Sequence, residues 1–310
     1  MTFGSAPRDS ILAICLNPVI QRTMVFDSVV KGEVNRSSRH RVDASGKGVN
    51  VARVLVQSGR RAIHLTQAGG PTRDWFLSMC AQDGIDARWV ESGSEIRSCS
   101  TVIDLADGSV TELVEEALPV APDTADLLLA ELGRVLPACG TVVVSGTKAS
   151  GYPDSIVPEI ASRAAASGAI LVLDIRGKDL LACLGSRPAV VKPNLAELLA
   201  TWPLPAGANP RDEAAVKSHV ALVAAALAND AGTSLVVTRG SSPLWYWDGK
   251  ALAEAPSARI AAINPIGSGD AFAAGLASIL AAGGAMCDAV AEGIRLGALN
   301  ASTLKPGSIF

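Results

Sequence analysis

Short apolar runs that do not alternate with polar residues constrain this chain more than any other feature. Ile11 to Leu16 and Arg61 to Thr66 are such runs, and Gly48 to Ser58 between them has apolar residues at helical intervals and stops at Gly59. The rhythm returns as Thr141 to Val144, Ile156 to Ala166 and Ala169 to Leu173, and again as Ala215 to Ala228 followed by Ser234 to Val237. A strand without alternation is covered on both faces, which requires a parallel sheet with helical crossovers. The fold class is therefore α/β.

Two segments break the rhythm. Thr23 to Arg41 and Cys99 to Glu116 alternate β-prone with polar residues, as in Thr101-Val102-Ile103-Asp104-Leu105, so they predict a small antiparallel β-layer with one face exposed. The chain shows no internal repeat, and Pro203 to Asn209 is its loosest connection. Its 310 residues suffice for one large α/β domain or two smaller ones. A net charge of −3 with scattered charges leaves no basic stripe for nucleic acid and no polybasic segment for lipid. The N-terminus shows no signal-peptide pattern and no apolar run reaches the roughly 18 residues of a membrane span. The six cysteines are widely spaced with no C-x-x-C, against a zinc site or a secreted disulfide framework, so a reducing cytoplasm is the expected location. Asn35-Arg36-Ser37 and Asn300-Ala301-Ser302 match a glycosylation sequon that has no meaning there.

The candidate chemistry centres on Asn264-Pro265-Ile266-Gly267-Ser268-Gly269-Asp270-Ala271-Phe272. Gly267 and Gly269 open the backbone to a ligand, and the Ala-rich run Ala271 to Ala282 predicts a helix whose positive end faces an anion. The N–H groups of Gly267, Ser268 and Gly269 would then stabilise a phosphoryl group. Asp270, beside such a site, suits the removal of a proton from an attacking hydroxyl. The plain alternative is a glycine turn with Asp270 as a helix cap.

The wider pattern resembles the PfkB carbohydrate kinases, the ribokinase-like group. Its C-terminal signature matches Asn264 to Gly275, preceded by a β-prone approach at Arg259 to Ile263. Its sugar-binding signature matches Asp43-Ala44-Ser45-Gly46-Lys47-Gly48-Val49-Asn50 running on to Ala68-Gly69-Gly70, and its N-x-x-E element matches Asn194 to Glu197. The three stand in family order from about residue 11 to the end. The resemblance implies a three-layer α/β/α fold over residues 1–310 as a single kinase domain, with a mainly parallel central sheet and a small β-sheet lid from segments near 17–41 and 97–116. It implies ATP and Mg²⁺, with a monovalent cation as a further candidate, and a homodimer through the lid as the candidate assembly. Asp270 becomes the catalytic base. Asn194 and Glu197 become holders of Mg²⁺ and phosphate through water, where spacing alone favours a capping arrangement. Lys192, Thr238, Gly240 and Asn300 fall on the nucleotide side. Read from spacing alone, these are a solvated lysine, a turn and helix packing.

On the acceptor side Gly46, Lys47 and Asn50 match the sugar signature, and Asn17-Pro18-Val19-Ile20 with Gln21 resembles a strand-end element of the 1-phosphofructokinase and tagatose-6-phosphate kinase branch. That branch usually has Asp at Gln21, a Thr-Arg-x-Asn element where Ile96-Arg97-Ser98-Cys99 stands, and an apolar residue at Lys148 in Ser145-Gly146-Thr147-Lys148. Arg97 keeps the phosphate-binding arginine of that branch, which favours a sugar phosphate acceptor. Lys148 is either a second phosphate ligand or a mark of divergence. Arg36 and Arg41 could add charge from a neighbouring subunit, and His64, inside an apolar strand, is structural. The expected activity is ATP-dependent phosphorylation of a hydroxyl on a sugar phosphate. A kinase of a free sugar or nucleoside and a non-catalytic sugar-phosphate sensor are the alternatives. No Walker-type loop is present and no G-x-G-x-x-G follows the first strand, so neither a P-loop nor a dinucleotide fold is indicated.

Overall fold

Alternate residues of the first strand enter opposite cores: Leu12 and Ile14 pack into one, Ile11 and Ala13 into the other. The structure, a computed structural model, describes residues 8–37 and 39–310. The chain opens with β1 (Ser10–Cys15), β2 (Val19–Phe26), β3 (Arg39–Ser45), α1 (Lys47–Gln57) and β4 (Ala62–Ala68). It continues with α2 (Arg73–Gln82), β5 (Asp86–Glu91), β6 (Arg97–Asp104), β7 (Val110–Val114), α3 (Thr124–Val135) and β8 (Cys139–Ser145). Next come α4 (Ile156–Ala166), β9 (Ile170–Asp174), α5 (Gly177–Cys183), β10 (Val190–Val191), α6 (Leu195–Thr201) and α7 (Glu213–Ala231). The last elements are β11 (Ser234–Val237), β12 (Leu244–Trp247), β13 (Leu252–Ala255), α8 (Ser268–Ala281) and α9 (Met286–Ala301).

The main sheet runs β13-β12-β11-β10-β9-β8-β1-β4-β5. All neighbours from β11 to β5 pair in parallel, while β12 and β13 form an antiparallel edge. One face packs against α3, α4 and α7 through Leu128, Ile160 and Val220, the other against α1, α2, α8 and α9 through Val51, Phe76, Leu276 and Leu296. Each large side chain buried this way contributes about 1.5–3 kcal/mol. The two helical layers with the sheet between them make three layers, as the repeated apolar runs require.

A second sheet of order β3-β2-β6-β7 stands apart from the first. Both segments expected to build it do so, but the sheet is mixed rather than antiparallel, since β2 and β6, which join the two segments, run parallel. It also reaches further than 17–41, because β3 continues to Ser45 and pairs Val19 with that residue. The β-prone approach at Arg259 to Ile263 is not a strand. The antiparallel ladder ends at Ala255, and the N–H groups of Ile263 and Asn264 turn instead to the carbonyl of Ala301 at the end of α9, at 2.7 and 3.1 Å. Chain order reverses between β1 and β8, since the path goes first to β4 and β5 and then returns to the other side. In open α/β sheets a reversal of this kind leaves a crevice at the strands' carboxyl ends.

Candidate active site

That crevice is a cleft of about 170 Å³ lined by Cys15, Asn17, Lys47, Arg97, Gly146, Thr147, Asp174, Ile175, Arg176 and Glu197. Strand ends supply most of its wall: β1 gives Cys15, β8 leads into Gly146, and β9 ends on Asp174. Asn17 Oδ1 and Arg97 Nε in the wall are buried with neither a hydrogen bond nor an ion pair among the described residues. Such orphans are costly in an apolar surrounding and suit a polar ligand.

Asp174 organises the floor. It is 1% exposed, its Oδ1 lies 3.0 Å from Lys192 Nζ and 3.7 Å from Lys47 Nζ, and its Oδ2 accepts from Ser145 Oγ at 2.9 Å. Burial opposes its ionisation, but the two lysines and the hydroxyl outweigh it and hold the carboxyl below its ordinary pKa. Lys47 also lies 3.4 Å from Glu197 Oε1. Asp174, and then Asp270 and Glu197, hold its ammonium above the ordinary lysine value against the cost of burial.

Asp270 sits in the first turn of α8 and is 5% exposed. Asn50 Nδ2 donates to its Oδ2 at 2.8 Å. Burial is the main cause that lifts its pKa to about 7, reinforced by Asp174 and opposed by Lys47, Asn50 and Lys192. A carboxyl poised near neutrality at the start of a helix suits a general base. Gly267, the N-cap, has φ 85°, and the N–H groups of Gly267 and Gly269 meet no protein acceptor among the described residues. The N–H of Ser268 is committed to the Pro265 carbonyl at 3.1 Å, so the anion loop offers fewer donors than the sequence suggests.

The model of the pfkB family carbohydrate kinases matches residues 13–309. The chain belongs to this family. A 1-phosphofructokinase of Xanthomonas campestris is 31% identical over 277 residues, which cover 87% of this chain and 83% of that protein. A tagatose-6-phosphate kinase of Staphylococcus epidermidis is 27% identical over 270 residues, covering 86% and 84%. Among solved structures, a possible 1-phosphofructokinase from Thermotoga maritima matches with a TM-score of 0.84 at 19% identity, over 96% of this chain and 93% of that one. Phosphofructokinase-2 from Escherichia coli in complex with substrates and products gives 0.83 at 21%, over 94% and 92%. The fold is thus ribokinase-like, and the chain is an ATP-dependent carbohydrate kinase.

Several residues of the kinase stand where the motifs put them and do something else. Asn194 and Glu197 form a reciprocal capping box at α6: Asn194 Oδ1 accepts from Glu197 N at 2.8 Å, and Glu197 Oε2 accepts from Asn194 N at 3.0 Å. The cap takes one of the two lone pairs of the exposed Asn194 amide oxygen, and Glu197 Oε1 lies toward Lys47. Gly48 approaches β1 rather than a ligand, since a Cβ there would lie 2.7 Å from the Ile14 carbonyl oxygen. Asn300 does not line an open pocket. It is fully buried, donates to the Ile266 carbonyl at 2.9 Å and to Ser268 Oγ at 3.0 Å, and so clamps the anion loop from behind. Ser145 is spent on Asp174. Thr238 closes a one-residue bridge to Asn194, which brings it and the exposed Gly240 beside α6.

Gln21 is buried in the lid sheet and donates to Thr101 Oγ1 at 2.8 Å. Lys148 does not line the cleft: its ammonium is bound by Asp179 at 2.6 Å and Asp154 at 3.4 Å. Arg41 grips Asp43 within its own strand at 2.5 Å, and Arg36 takes no part in the cleft wall. Sequence reasoning missed Asp174 and Arg176. Asp174 carried a signal, as the polar end of an apolar strand run in a parallel sheet. Arg176 carried none.

No cluster of three or more metal-ligating side chains occurs among the described residues. The donor set still fits Mg²⁺ through Glu197, a hard carboxylate in the cleft wall whose Oε1 meets only Lys47, at 3.4 Å, among the described residues, whereas both oxygens of Asp174 are engaged by lysines and Ser145. Mg²⁺ commonly takes one or two carboxylates and completes its shell with phosphates and water. No helix among the described residues is long and apolar enough to cross a membrane.

Proposed function

We propose that the kinase transfers the γ-phosphoryl group of ATP to a hydroxyl of a sugar phosphate, with Asp270 as general base. The observation that carries this reading is Asp270 itself: buried at a helix start, poised at a pKa of about 7, and beside a cleft that holds two arginines and a lysine. Asp270 takes the proton of the acceptor hydroxyl. The hydroxyl oxygen bonds to the γ-phosphorus while that atom's bond to the departing ADP oxygen breaks. The N–H groups of Gly267 and Gly269 stabilise charge on the transferred group, and Lys47 and Lys192 keep the floor near neutrality against Asp174. Glu197 would hold Mg²⁺, which supplies charge neutralisation on the phosphates when bound. Arg97 and Arg176 are left for the phosphate the acceptor already carries.

We read residues 1–310 as a single kinase domain, as a family match from 13 to 309 supports. A lid dimer is part of the proposal, supported by exposed apolar residues on the lid such as Leu105, Leu113 and Val114. The cytoplasm, and a monovalent cation as a further cofactor, complete it.

Asp270→Asn should fold, bind ATP and lose activity by roughly 100- to 10,000-fold. Full activity would remove Asp270 as base. A panel of fructose, fructose 1-phosphate, fructose 6-phosphate and tagatose 6-phosphate, read by ADP release, tests the acceptor class. A preference for the free sugar would overturn it.

A further inference from the structure

Arg53 is fully buried, one helical turn beyond Asn50 on α1, and each of its three nitrogens has a partner. Nε donates to Asp83 Oδ2 at 2.7 Å and Nη2 to the Ala44 carbonyl. Nη1 donates to Asn50 Oδ1 and to the Pro306 carbonyl, both at 3.0 Å. Asp83 is in turn bound by Lys305, so the buried guanidinium is neutralised and the pair is tied to the C-terminal segment. Ser45 Oγ is a second donor to Asn50 Oδ1, at 3.0 Å.

These contacts decide which way the Asn50 amide faces. A guanidinium has only donors, so the amide must present its oxygen to Arg53 and its nitrogen to the other side. On that other side is Asp270 Oδ2. A flipped amide would set NH₂ against NH₂ at Arg53 and oxygen against oxygen at Asp270. The Gly307 backbone packs against the stem of Asn50 so closely that a side chain there would collide with it, a Cβ lying 2.3 Å from Asn50 Cβ.

We propose that Arg53 is a positioning residue for phosphoryl transfer: by occupying Asn50 Oδ1 it aims the amide N–H at Asp270 and keeps the base an anion that can accept a proton. The inference rests on Asp270 being the base. The charged and titratable groups that also bear on Asp270 are Lys47 from α1, Asp174 at the end of β9, Lys192 after β10 and Cys15 at the end of β1. None of these touches Arg53 in a hydrogen bond or ion pair among the described residues, so changing Arg53 leaves them in place.

The test compares Arg53→Lys and Ser45→Ala with the unaltered chain, measuring kcat/KM against pH for whichever of fructose 1-phosphate and tagatose 6-phosphate it turns over, at saturating ATP. Loss of a donor to a carboxylate disfavours its anion, so the acid limb should move to higher pH in both variants, further in Arg53→Lys. At pH 6 kcat/KM should fall roughly tenfold to a hundredfold in Arg53→Lys, while KM for ATP stays unchanged. A structural defect alone would lower activity at every pH without moving the limb. Ser45→Ala removes a single hydroxyl, and it decides the matter if Arg53→Lys does not fold. An unmoved limb in the folded variants overturns the proposal while an inactive Asp270→Asn leaves the base in place; an active Asp270→Asn removes the base and this inference with it.

Discussion

Arg176 stands exposed at the cleft, and no hydrogen bond or ion pair holds it among the described residues, unlike Lys47, Lys148 and Lys192. An unpaired guanidinium at a site read as taking a phosphorylated acceptor is a specificity element. A hydrogen bond to a charged group is worth about 1.5–3 kcal/mol, so Arg176→Ala should raise KM for the phosphorylated acceptor roughly tenfold to a hundredfold. Initial rates with each substrate varied in turn would check this, and an equal rise in KM for ATP would move Arg176 to the donor side. Why this residue was invisible in the sequence while Asp270 was not is a matter of context. Asp270 lies inside a glycine loop whose spacing has its own chemistry. Arg176 matters only because Asn17, Gly146 and Glu197 are folded next to it, and sequence separations of that size leave no trace in a local pattern. The same blindness put Lys148 among the candidate phosphate ligands, since Asp179 lies 31 positions away.

Elements were legible where one local rule fixed them. The helix read over Gly48 to Ser58 is α1, ending at a glycine with φ 74° as a left-handed terminus requires. The two-sided burial read from the apolar runs is present in every strand between β1 and β11 of the main sheet for which cores are defined on both faces. Arg259 to Ile263 was misread because β-propensity reports what suits a pleated surface, whereas the end of this segment is held by the Ala301 carbonyl instead of a sheet neighbour. Glu197 shows two rules meeting in one residue. One oxygen caps α6 and the other faces Lys47, so the capping and ligand readings describe different atoms of one side chain. The contact of α1 with β1 permits a test at this scale. Gly48→Ala would place a methyl 2.7 Å from the Ile14 carbonyl oxygen and 2.8 Å from Cys15 Cβ, neither of which is the end of a flexible chain. The helix must lift, at a cost of roughly 1–3 kcal/mol. Because Lys47 and Asn50 flank that contact, activity should fall together with the urea midpoint, and a variant of unchanged stability would show that α1 has slack.

At the scale of the molecule, the sheet reversal between β1 and β8 gathers carboxyl strand ends into one cleft, and the charges placed there differ in what they do to stability. Asp270 is the clearest instance. Its ordinary pKa of 3.8 applies in the unfolded chain, and burial lifts it to about 7 in the fold. Between those values the folded state holds a proton that the unfolded state has lost, so this residue's contribution is fully present below pH 3.8 and is lost as pH rises through 7. At pH 8 the fold carries a buried carboxylate whose cost is on the order of a few kcal/mol. Asp174 and Asp83 have the opposite sign. Their lysine and arginine partners lower their pKa values, so their contributions are present in neutral solution and are lost only as pH falls through the acid range. Replacing Asp270 with Asn removes the first effect and leaves the other two. The variant that loses catalysis should therefore melt above the unaltered chain at pH 8, with a gap that narrows as pH falls toward 5. Thermal melts of both chains without ligand across that range would read the gap directly. A gap independent of pH would mean that Asp270 titrates alike in the folded and unfolded chain, and the electrostatic account of the base would fail at its source.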